Sequence, residues 1–220
     1  MWTPTIAGLA DPVMIYSLAW IIVGGILRFF ARIKRYGLEN VPRRGGLILA
    51  ANHRSYWDPP IVSTSVYRPV YFLAKRELFD FPPLGWLFRK LHTIPMTRES
   101  PELGSYKAAI NHLLSGQVLI LFPEGTRSPS GQFLEPKLGV GRIALETSVP
   151  IVPVYLENSR PLWKALLGRN RLTVSFGQPL ESQWLQNFPK NKAGYRQVAQ
   201  ELMDRIKKLK ESKNSPGIRG

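Results

Sequence analysis

A histidine and an aspartate stand five positions apart in this chain, at His53 and Asp58, directly after the apolar run 46–51. A hydroxyl is a poor nucleophile at neutral pH, and an imidazole that removes its proton during attack contributes about 10²- to 10⁴-fold in rate. A carboxylate bonded to the second ring nitrogen fixes the tautomer and balances the developing positive charge. We therefore predict that His53 is a general base and that Asp58 orients it. We also predict that Pro59 and Pro60 prevent a helix from continuing beyond Asp58.

A second polar cluster follows the strand-like apolar run 118–121. Gly125 lets backbone amides approach a ligand, Thr126 supplies a hydroxyl, and the planar guanidinium of Arg127 matches phosphate oxygens in pairs. These residue types predict a binding site for an anion. A strand-ending turn with a solvated arginine would contain the same residues, and spacing alone does not bring this cluster to His53.

Four blocks of sequence, in this order, resemble the glycerolipid acyltransferase family and in particular its lysophosphatidic acid acyltransferases. They lie within about residues 36 to 180 and are Asn52 to Asp58, Lys75 to Leu78 continuing to Arg98, Phe122 to Ser128, and Val149 to Val154. The chain departs from the family pattern at His92, where a small residue, usually glycine, is expected.

The resemblance implies a reaction and a set of site residues. The enzyme would move a fatty acyl group from acyl-coenzyme A or acyl carrier protein to the sn-2 hydroxyl of 1-acyl-sn-glycerol 3-phosphate (lysophosphatidic acid), giving phosphatidic acid. His53 corresponds to the base and Asp58 to its orienting group. The residues implied in binding the substrate are Lys75, Arg98, Glu124, Gly125, Thr126 and Arg127.

Other functions fit parts of the same pattern. Glycerol 3-phosphate or another lysolipid would suit the same signature as acceptor. A non-catalytic basic lipid-binding module would use the positive charge, but it leaves the pair of His53 and Asp58 unexplained. Ser55 as an acyl-enzyme nucleophile is a further alternative, although the chain has no GxSxG elbow.

The composition suits an enzyme that meets acidic partners. Thirty Lys and Arg against 15 Asp and Glu give a formal charge of +15, which attracts the phosphates of lipids, coenzyme A and acyl carrier protein. The chain has no cysteine, and its three histidines do not have the spacing of a metal motif. We therefore predict no metal and no cofactor beyond the acyl donor. We also predict no nucleic-acid partner, since no known nucleic-acid-binding module is recognisable.

The apolar patterning predicts one α/β acyltransferase domain over 36–213, with 214–220 as a disordered tail. Helix-like stretches near 103–115, 139–148 and 195–209 accompany strand-like runs near 46–51, 70–74, 93–96, 118–122, 151–155 and 172–176. Irregular, proline-rich connections mean that the sheet need not be wholly parallel. With the resemblance, this predicts a mixed sheet flanked by helices.

An apolar segment precedes this domain. The 16 residues 12–27 carry no charge, and as a helix they would reach about 24 Å, against roughly 30 Å of bilayer hydrocarbon. We predict that 1–35 is a membrane-associating segment, re-entrant or in the membrane plane, that holds the enzyme at the cytoplasmic face. A buried core helix is the alternative. The cations that would meet the anionic surface are Arg28, Arg32, Lys34 and Arg35.

Overall fold

The computed structural model describes residues 12–97, 103–128 and 130–214. The helices are α1 (Pro12–Phe29), α2 (Asp58–Ser65), α3 (Pro82–Lys90), α4 (Leu103–Leu114), α5 (Leu138–Thr147), α6 (Leu162–Leu166), α7 (Ser182–Leu185) and α8 (Lys192–Asn214). The strands are β1 (Lys34–Tyr36), β2 (Leu47–Ala51), β3 (Val70–Lys75), β4 (Thr93–Met96), β5 (Val118–Leu121), β6 (Ile151–Glu157) and β7 (Thr173–Phe176). Two short 3-10 helices occupy Leu38–Asn40 and Arg76–Phe79.

The seven strands form one mixed sheet in the order β1-β7-β6-β2-β5-β3-β4. Strands β2 to β6 run parallel to one another, while β7 and β1 run in the opposite direction. The predicted mixed sheet flanked by helices is therefore confirmed. Because β2 and β5 are neighbours and parallel, the loops that follow them emerge side by side at one edge, which we call the carboxyl edge.

Helices cover the sheet in two layers. Residues of α1, α2 and α6, such as Leu27, Val62 and Ala165, pack with one face of the sheet, and these helices form the first layer. Residues of α4, α5 and α8, such as Ala109 and Ala144, pack with the opposite face, and these form the second layer. Strands β2, β5 and most of β6 are buried on both faces, which explains their continuous apolar sequences.

Helix α2 contradicts one expectation. It begins at Asp58 and runs through Pro59 and Pro60, so the prediction that these prolines prevent a helix is wrong. A proline in the first helical turn costs little, because the amide that it lacks would have no partner within the helix there. The two prolines start the helix, and Asp58 is held at its first turn.

Helix α1 contacts α2 and the start of β3 through one face. The Tyr16 hydroxyl hydrogen-bonds with the Ser63 hydroxyl at 2.9 Å and accepts from the Val70 amide at 3.0 Å, and the Trp20 indole donates to the Ser63 carbonyl at 3.0 Å. The helix passes unbroken through Gly24, which faces Thr64 of α2. Within the described ranges, no helix combines the length and hydropathy needed to cross a bilayer.

The three proposed divisions of the chain stay predictions. Residues 1–11 and 215–220 lie outside the described part, so the structure says nothing of most of the predicted tail. Within 12–35, Leu27 and Ala31 are buried and β1 joins the sheet. The buried side of α1 fits the alternative of a core helix, and the association of its other side with a membrane stays a prediction.

A column of four stacked aromatic rings connects α1 with β3, α4 and the residue before β4. His92 stacks between Tyr16 and Tyr71, with ring centroids 4.2 and 4.6 Å away, and Tyr71 stacks on His112 at 4.1 Å. His92 has a φ of 55°, in the left-handed region, which accounts for the glycine that the family usually has there. Burial lowers the pKa of His92, and the nearby His112 lowers it further.

We expect the column to make stability sensitive to acid. The unfolded chain protonates His92 near its ordinary pKa of 6.5, and the folded chain only at lower pH. Between those values the unfolded state binds more protons, so the free energy of unfolding should fall as the pH decreases below about 6.5. His92→Asn tolerates the left-handed backbone but does not titrate. Urea unfolding at about pH 7.5 and about pH 5.5 should show a smaller loss for this variant, and an equal loss in both proteins would contradict the assignment.

Candidate active site

The two polar clusters meet at the carboxyl edge of the sheet. His53 follows β2 and Glu124 follows the adjacent β5. The Ser128 amide donates to the His53 carbonyl at 2.7 Å, and the His53 amide donates to Glu124 Oε1 at 3.0 Å. One hydrogen bond between backbone groups and one from a backbone amide to the Glu124 carboxylate thus join the two loops directly. The prediction that one loop binds an anion now has a geometry in which that anion would lie near His53.

Asp58 holds the imidazole of His53. Nδ1 of His53 lies 2.9 Å from Oδ2 of Asp58, and the same oxygen accepts from the amides of Arg54 and Ser55 at 2.6 and 2.7 Å. The Asp58 side chain is 0 % exposed and that of His53 is 13 % exposed. With Nδ1 bonded to the carboxylate, Nε2 keeps the lone pair that can accept a proton. The Phe122 ring stacks on the imidazole with centroids 3.9 Å apart and limits its rotation.

Glu124 connects loops in this structure. Oε1 accepts from the His53 amide, Oε2 accepts from the Leu134 amide at 3.1 Å, and the residue is 1 % exposed. Burial raises the pKa of Glu124, and these two hydrogen bonds oppose that shift. The carboxylate therefore acts on the backbone that positions His53. Its predicted contact with substrate stays a prediction.

Gly125 makes the turn that places the following residues. Its φ of 65° is left-handed, and a Cβ there would come within 2.9 Å of the Lys137 side chain. Thr126 and Arg127 follow on this turn, and both are half-buried. The turn therefore brings a hydroxyl and a guanidinium to the carboxyl edge, while the predicted binding roles of Thr126 and Arg127 stay predictions.

Tyr56 holds Arg127 and was not predicted from the sequence. The guanidinium carbon lies 3.4 Å from the centre of the Tyr56 ring, and Nη2 donates to the Tyr56 hydroxyl at 2.8 Å. Tyr56 belongs to the same loop as His53, so the stack bridges the two clusters. Its position inside the histidine and aspartate block was the only available signal. That signal does not identify the arginine it contacts.

A cavity of about 510 Å³ opens beside this pair. Its apolar walls come from Trp57, Leu162, Trp163 and Leu166, and its cationic groups from Arg127 and Arg160. An apolar wall with two guanidinium groups suits an amphipathic anion. Arg160 follows β6 and was not among the predicted site residues.

The remaining predicted residues are not brought to His53 by any described contact. Lys75 ends β3 at the same edge, is exposed, and is separated from β2 by β5. Arg98 lies outside the described residues. No group of three or more metal-binding side chains occurs within the described part of the chain. The roles of Lys75 and Arg98 stay predictions, as does the absence of a cofactor.

An α/β sheet with a hydrogen-bonded histidine and carboxylate at its carboxyl edge has the layout of an enzyme that uses a general base. The sequence model of the family described as Acyltransferase matches residues 32–157, more than half of the chain. The chain belongs to this acyltransferase family, as the resemblance predicted, and it is an enzyme of acyl transfer.

Several known proteins are similar to the chain. The 1-acyl-sn-glycerol-3-phosphate acyltransferase of Bacillus subtilis is 29 % identical over 185 residues, 84 % of this chain and 91 % of that protein. The protein of that name from Streptococcus pneumoniae is 32 % identical over 179 residues, 80 % of this chain and 65 % of that protein. The crystal structure of the 1-acyl-sn-glycerophosphate (LPA) acyltransferase PlsC of Thermotoga maritima superposes with a TM-score of 0.65 and 26 % identity, over 88 % of this chain and 82 % of that one.

Proposed function

We propose that this acyltransferase moves a fatty acyl group from a thioester to the sn-2 hydroxyl of 1-acyl-sn-glycerol 3-phosphate, giving phosphatidic acid. The observation that carries the proposal is the buried Asp58 bonded to His53 beside an arginine on the adjoining loop. The printed activities of the relatives from B. subtilis and S. pneumoniae support it. The family membership favours an enzyme over the alternative of a non-catalytic lipid-binding module.

The reaction proceeds by direct attack. Nε2 of His53 accepts the proton of the acceptor hydroxyl as its oxygen bonds to the thioester carbonyl carbon. Asp58 stabilises the imidazolium that forms. The tetrahedral intermediate then collapses, the carbon to sulfur bond breaks, and the imidazolium returns its proton to the departing thiolate. The turn at 124–127 supports the negative oxygen of the intermediate, and Lys75 and Arg98 are assigned to substrate binding.

The cavity supports an acceptor that carries its own acyl chain. Glycerol 3-phosphate has a phosphate that Arg127 could bind, but it has no apolar part to contact the walls at Trp57 and Leu162. In lysophosphatidate, the phosphate would bind Arg127 and the acyl chain would contact the apolar walls. The acyl donor is acyl-coenzyme A or acyl carrier protein, whose thioester arms are chemically alike. The enzyme works at the cytoplasmic face of the membrane, where its net positive charge meets anionic lipid.

The proposal is tested by measuring products with a panel of acceptors and both donors. Purified enzyme is incubated with lysophosphatidate, glycerol 3-phosphate, a neutral monoacylglycerol and a lysophosphatidylcholine, each with acyl-coenzyme A and with acyl carrier protein. Mass spectrometry of the products should show phosphatidate formed with the highest kcat/KM. Preferred acylation of glycerol 3-phosphate or of a neutral acceptor would refute the assignment of the acceptor.

Arg127→Lys is expected to raise the KM for lysophosphatidate by about 10-fold with a smaller change in kcat. A lysine keeps the charge, but it has no planar fork for two phosphate oxygens and no flat group to stack on Tyr56. Steady-state kinetics with lysophosphatidate and with a neutral monoacylglycerol separate the effects. An equal loss with both acceptors would assign Arg127 to the fold or to the donor.

Tyr56→Phe is the companion variant, since it keeps the ring under Arg127 and removes the hydroxyl that accepts its Nη2 hydrogen bond. Its effect on the same KM should be smaller than that of Arg127→Lys. A larger effect would mean that the Tyr56 hydroxyl itself contacts the substrate.

A further inference from the structure

Helix α6 presents a small apolar surface to the solvent. Leu162 and Ala165 are buried in the first layer, whereas Trp163 and Leu167, the residue that directly follows the helix, are 48 % and 65 % exposed. A soluble surface helix normally places large apolar side chains inward. A helix of five residues can bury only one of its sides against the sheet. The exposed side of α6 carries the large apolar side chain of Trp163, and the exposed Leu167 adjoins it.

Helix α1 presents a similar surface in the same layer. Its buried side is formed by residues such as Tyr16 and Leu27, while its outward side exposes Leu18, Ile22 and Phe29, the last at 77 %. Leu27 of α1 and Leu162 of α6 belong to one buried cluster on the first face of the sheet. The outward apolar groups of both helices therefore lie over the same face.

The chain connects the two helices at the carboxyl edge. Helix α1 leads into β1, which pairs with β7. At the start of β1, the Lys34 amide donates to the Leu172 carbonyl at 2.9 Å. Leu172 ends the segment that follows α6. Since β1 and β7 run opposite to β2, they begin at the edge where His53 lies. The C-terminal end of α1, the helix α6 and the cavity thus share one edge.

The charges around both helices have one sign. No aspartate or glutamate occurs in residues 12–38 or 158–180. The cations of the second stretch are Arg160, Lys164, Arg169 and Arg171. Lys164 Nζ and the Arg169 guanidinium lie 5.8 and 5.4 Å from the Trp163 ring centre. An amphipathic indole flanked by cations is the arrangement that stabilises a protein at the boundary of apolar and polar lipid regions.

We propose that α6 is a second membrane-binding element, which inserts Trp163 and the adjoining Leu167 into the headgroup region on the face of the sheet that α1 also covers. The occupant of this surface is an anionic bilayer. Contacts of both α1 and α6 with the bilayer would fix the orientation of the domain relative to the membrane. In that orientation, the cavity beside Arg127 faces the lipid from which an acceptor would enter. The proposal rests on the proposed function only in naming that acceptor, because binding of α6 to vesicles requires no substrate.

An acidic protein, such as a carrier of the acyl group, is the other partner that basic and apolar groups would suit. The structure favours the bilayer, because exposed apolar groups occur on both α6 and α1, two helices that cover the same face of the sheet, and are not confined to the rim of the cavity. A protein partner would leave the outward side of α1 uncovered. The test therefore includes both partners.

Leu167→Gln is the principal variant, since Leu167 is exposed and does not line the cavity. Its matched control is Leu114→Gln, which changes a leucine of similar exposure, 63 %, at the end of α4 in the second layer. Full-length proteins are incubated with vesicles of phosphatidylcholine containing phosphatidylglycerol, and the bound fraction is measured by flotation. Leu167→Gln should weaken binding by about 10-fold, whereas Leu114→Gln should bind like the wild type. Equal binding by all three proteins would overturn the proposal.

Lys164→Gln gives an independent result if Leu167→Gln unfolds. It should weaken binding to anionic vesicles by about 5-fold and leave binding to pure phosphatidylcholine unchanged, with the difference disappearing at high salt. An unchanged affinity for anionic vesicles would contradict the role of α6. Thermal unfolding of each variant identifies any that are misfolded.

Activity measurements separate this proposal from the proposed function. With a short-chain, water-soluble lysophosphatidate, Leu167→Gln should retain the wild-type rate, while its rate with vesicle-borne lysophosphatidate should fall together with binding. If the wild type acylates no lysophosphatidate, the proposed acceptor is wrong and the flotation result still decides the role of α6. If Leu167→Gln binds vesicles normally but uses the acyl carrier protein thioester poorly, the surface docks that protein and the membrane proposal is refuted.

Discussion

His53→Ala is expected to reduce kcat for acyl transfer by about 10²-fold or more, because it removes the group that accepts the proton of the acceptor hydroxyl in the proposed mechanism. The loss should appear in kcat more than in the KM for lysophosphatidate, since the proposed mechanism has the imidazole assist the reaction and Arg127 bind the phosphate. Steady-state kinetics with purified proteins measure both constants.

The protein should remain folded in this experiment. The loop at His53 is held by backbone groups, the amide bonded to Glu124 and the carbonyl bonded to Ser128, and alanine keeps both. Ser55→Ala is the matched control in the same loop, and it also tests the alternative of an acyl-enzyme. Near-normal activity is expected for Ser55→Ala. Transfer by His53→Ala at close to the wild-type rate would show that another group acts as the base.

Asp58→Asn is the second change with a large expected effect, about 10²-fold or more in kcat. Oδ2 of Asp58 accepts three N–H groups, from the imidazole of His53 and the amides of Arg54 and Ser55. An asparagine can place its oxygen at the same point, which keeps the loop intact but removes the negative charge that stabilises the imidazolium. If the side-chain amide of the introduced asparagine is flipped, its NH₂ group faces the three N–H donors and cannot accept their hydrogen bonds. The imidazole of His53 would then change tautomer.

Asparagine is a better test than alanine at this position. Alanine would leave three buried N–H groups without their acceptor, at a cost of about 1 to 3 kcal/mol for each group, and unfolding would then be confused with loss of catalysis. Circular dichroism should show the wild-type fold for Asp58→Asn. A folded Asp58→Asn enzyme with wild-type kcat would mean that the carboxylate positions the loop without contributing to the reaction.

In the two proposals, the choice of the acceptor's acyl chain and the orientation on the membrane both depend on the cavity beside Arg127. Its walls come from the loop that carries His53 and from α6, so a change in α6 alters both the lipid contact and the space next to the base. We expect variants of Trp163 to change the preference for acceptor chain length, because its indole forms part of the wall. Variants of Leu167 lie outside the cavity and isolate the contact with the bilayer.

The structure bears out much of what local patterns predicted. The apolar runs over 46–51, 118–122 and 151–155 are β2, β5 and β6, because a strand buried on both faces needs an uninterrupted apolar sequence. Helices α4 and α5 begin and end within one residue of the predicted bounds. In contrast, β1 has the sequence Lys-Arg-Tyr and no apolar signal, and its pairing with β7 makes it a strand.

The sequence by itself determined the features that depend on neighbours along the chain. His53 and Asp58 lie in one short loop, so their spacing was enough to predict that they meet. The proline error at α2 has the same origin, since the general rule for prolines inside helices does not hold for the first turn. Apolar periodicity likewise sufficed for the buried strands and for α4, α5 and α8, the helices of the second layer.

Only the tertiary structure decided the features that depend on which strands lie side by side. The order of the sheet makes β2 and β5 neighbours, and it thereby brings Glu124 to the backbone of His53 and Arg127 to the ring of Tyr56, across 71 residues of chain in each case. It also places α1 and α6 over one face. No local pattern encodes these contacts, because their energy comes from groups distant in sequence that become adjacent when the sheet assembles.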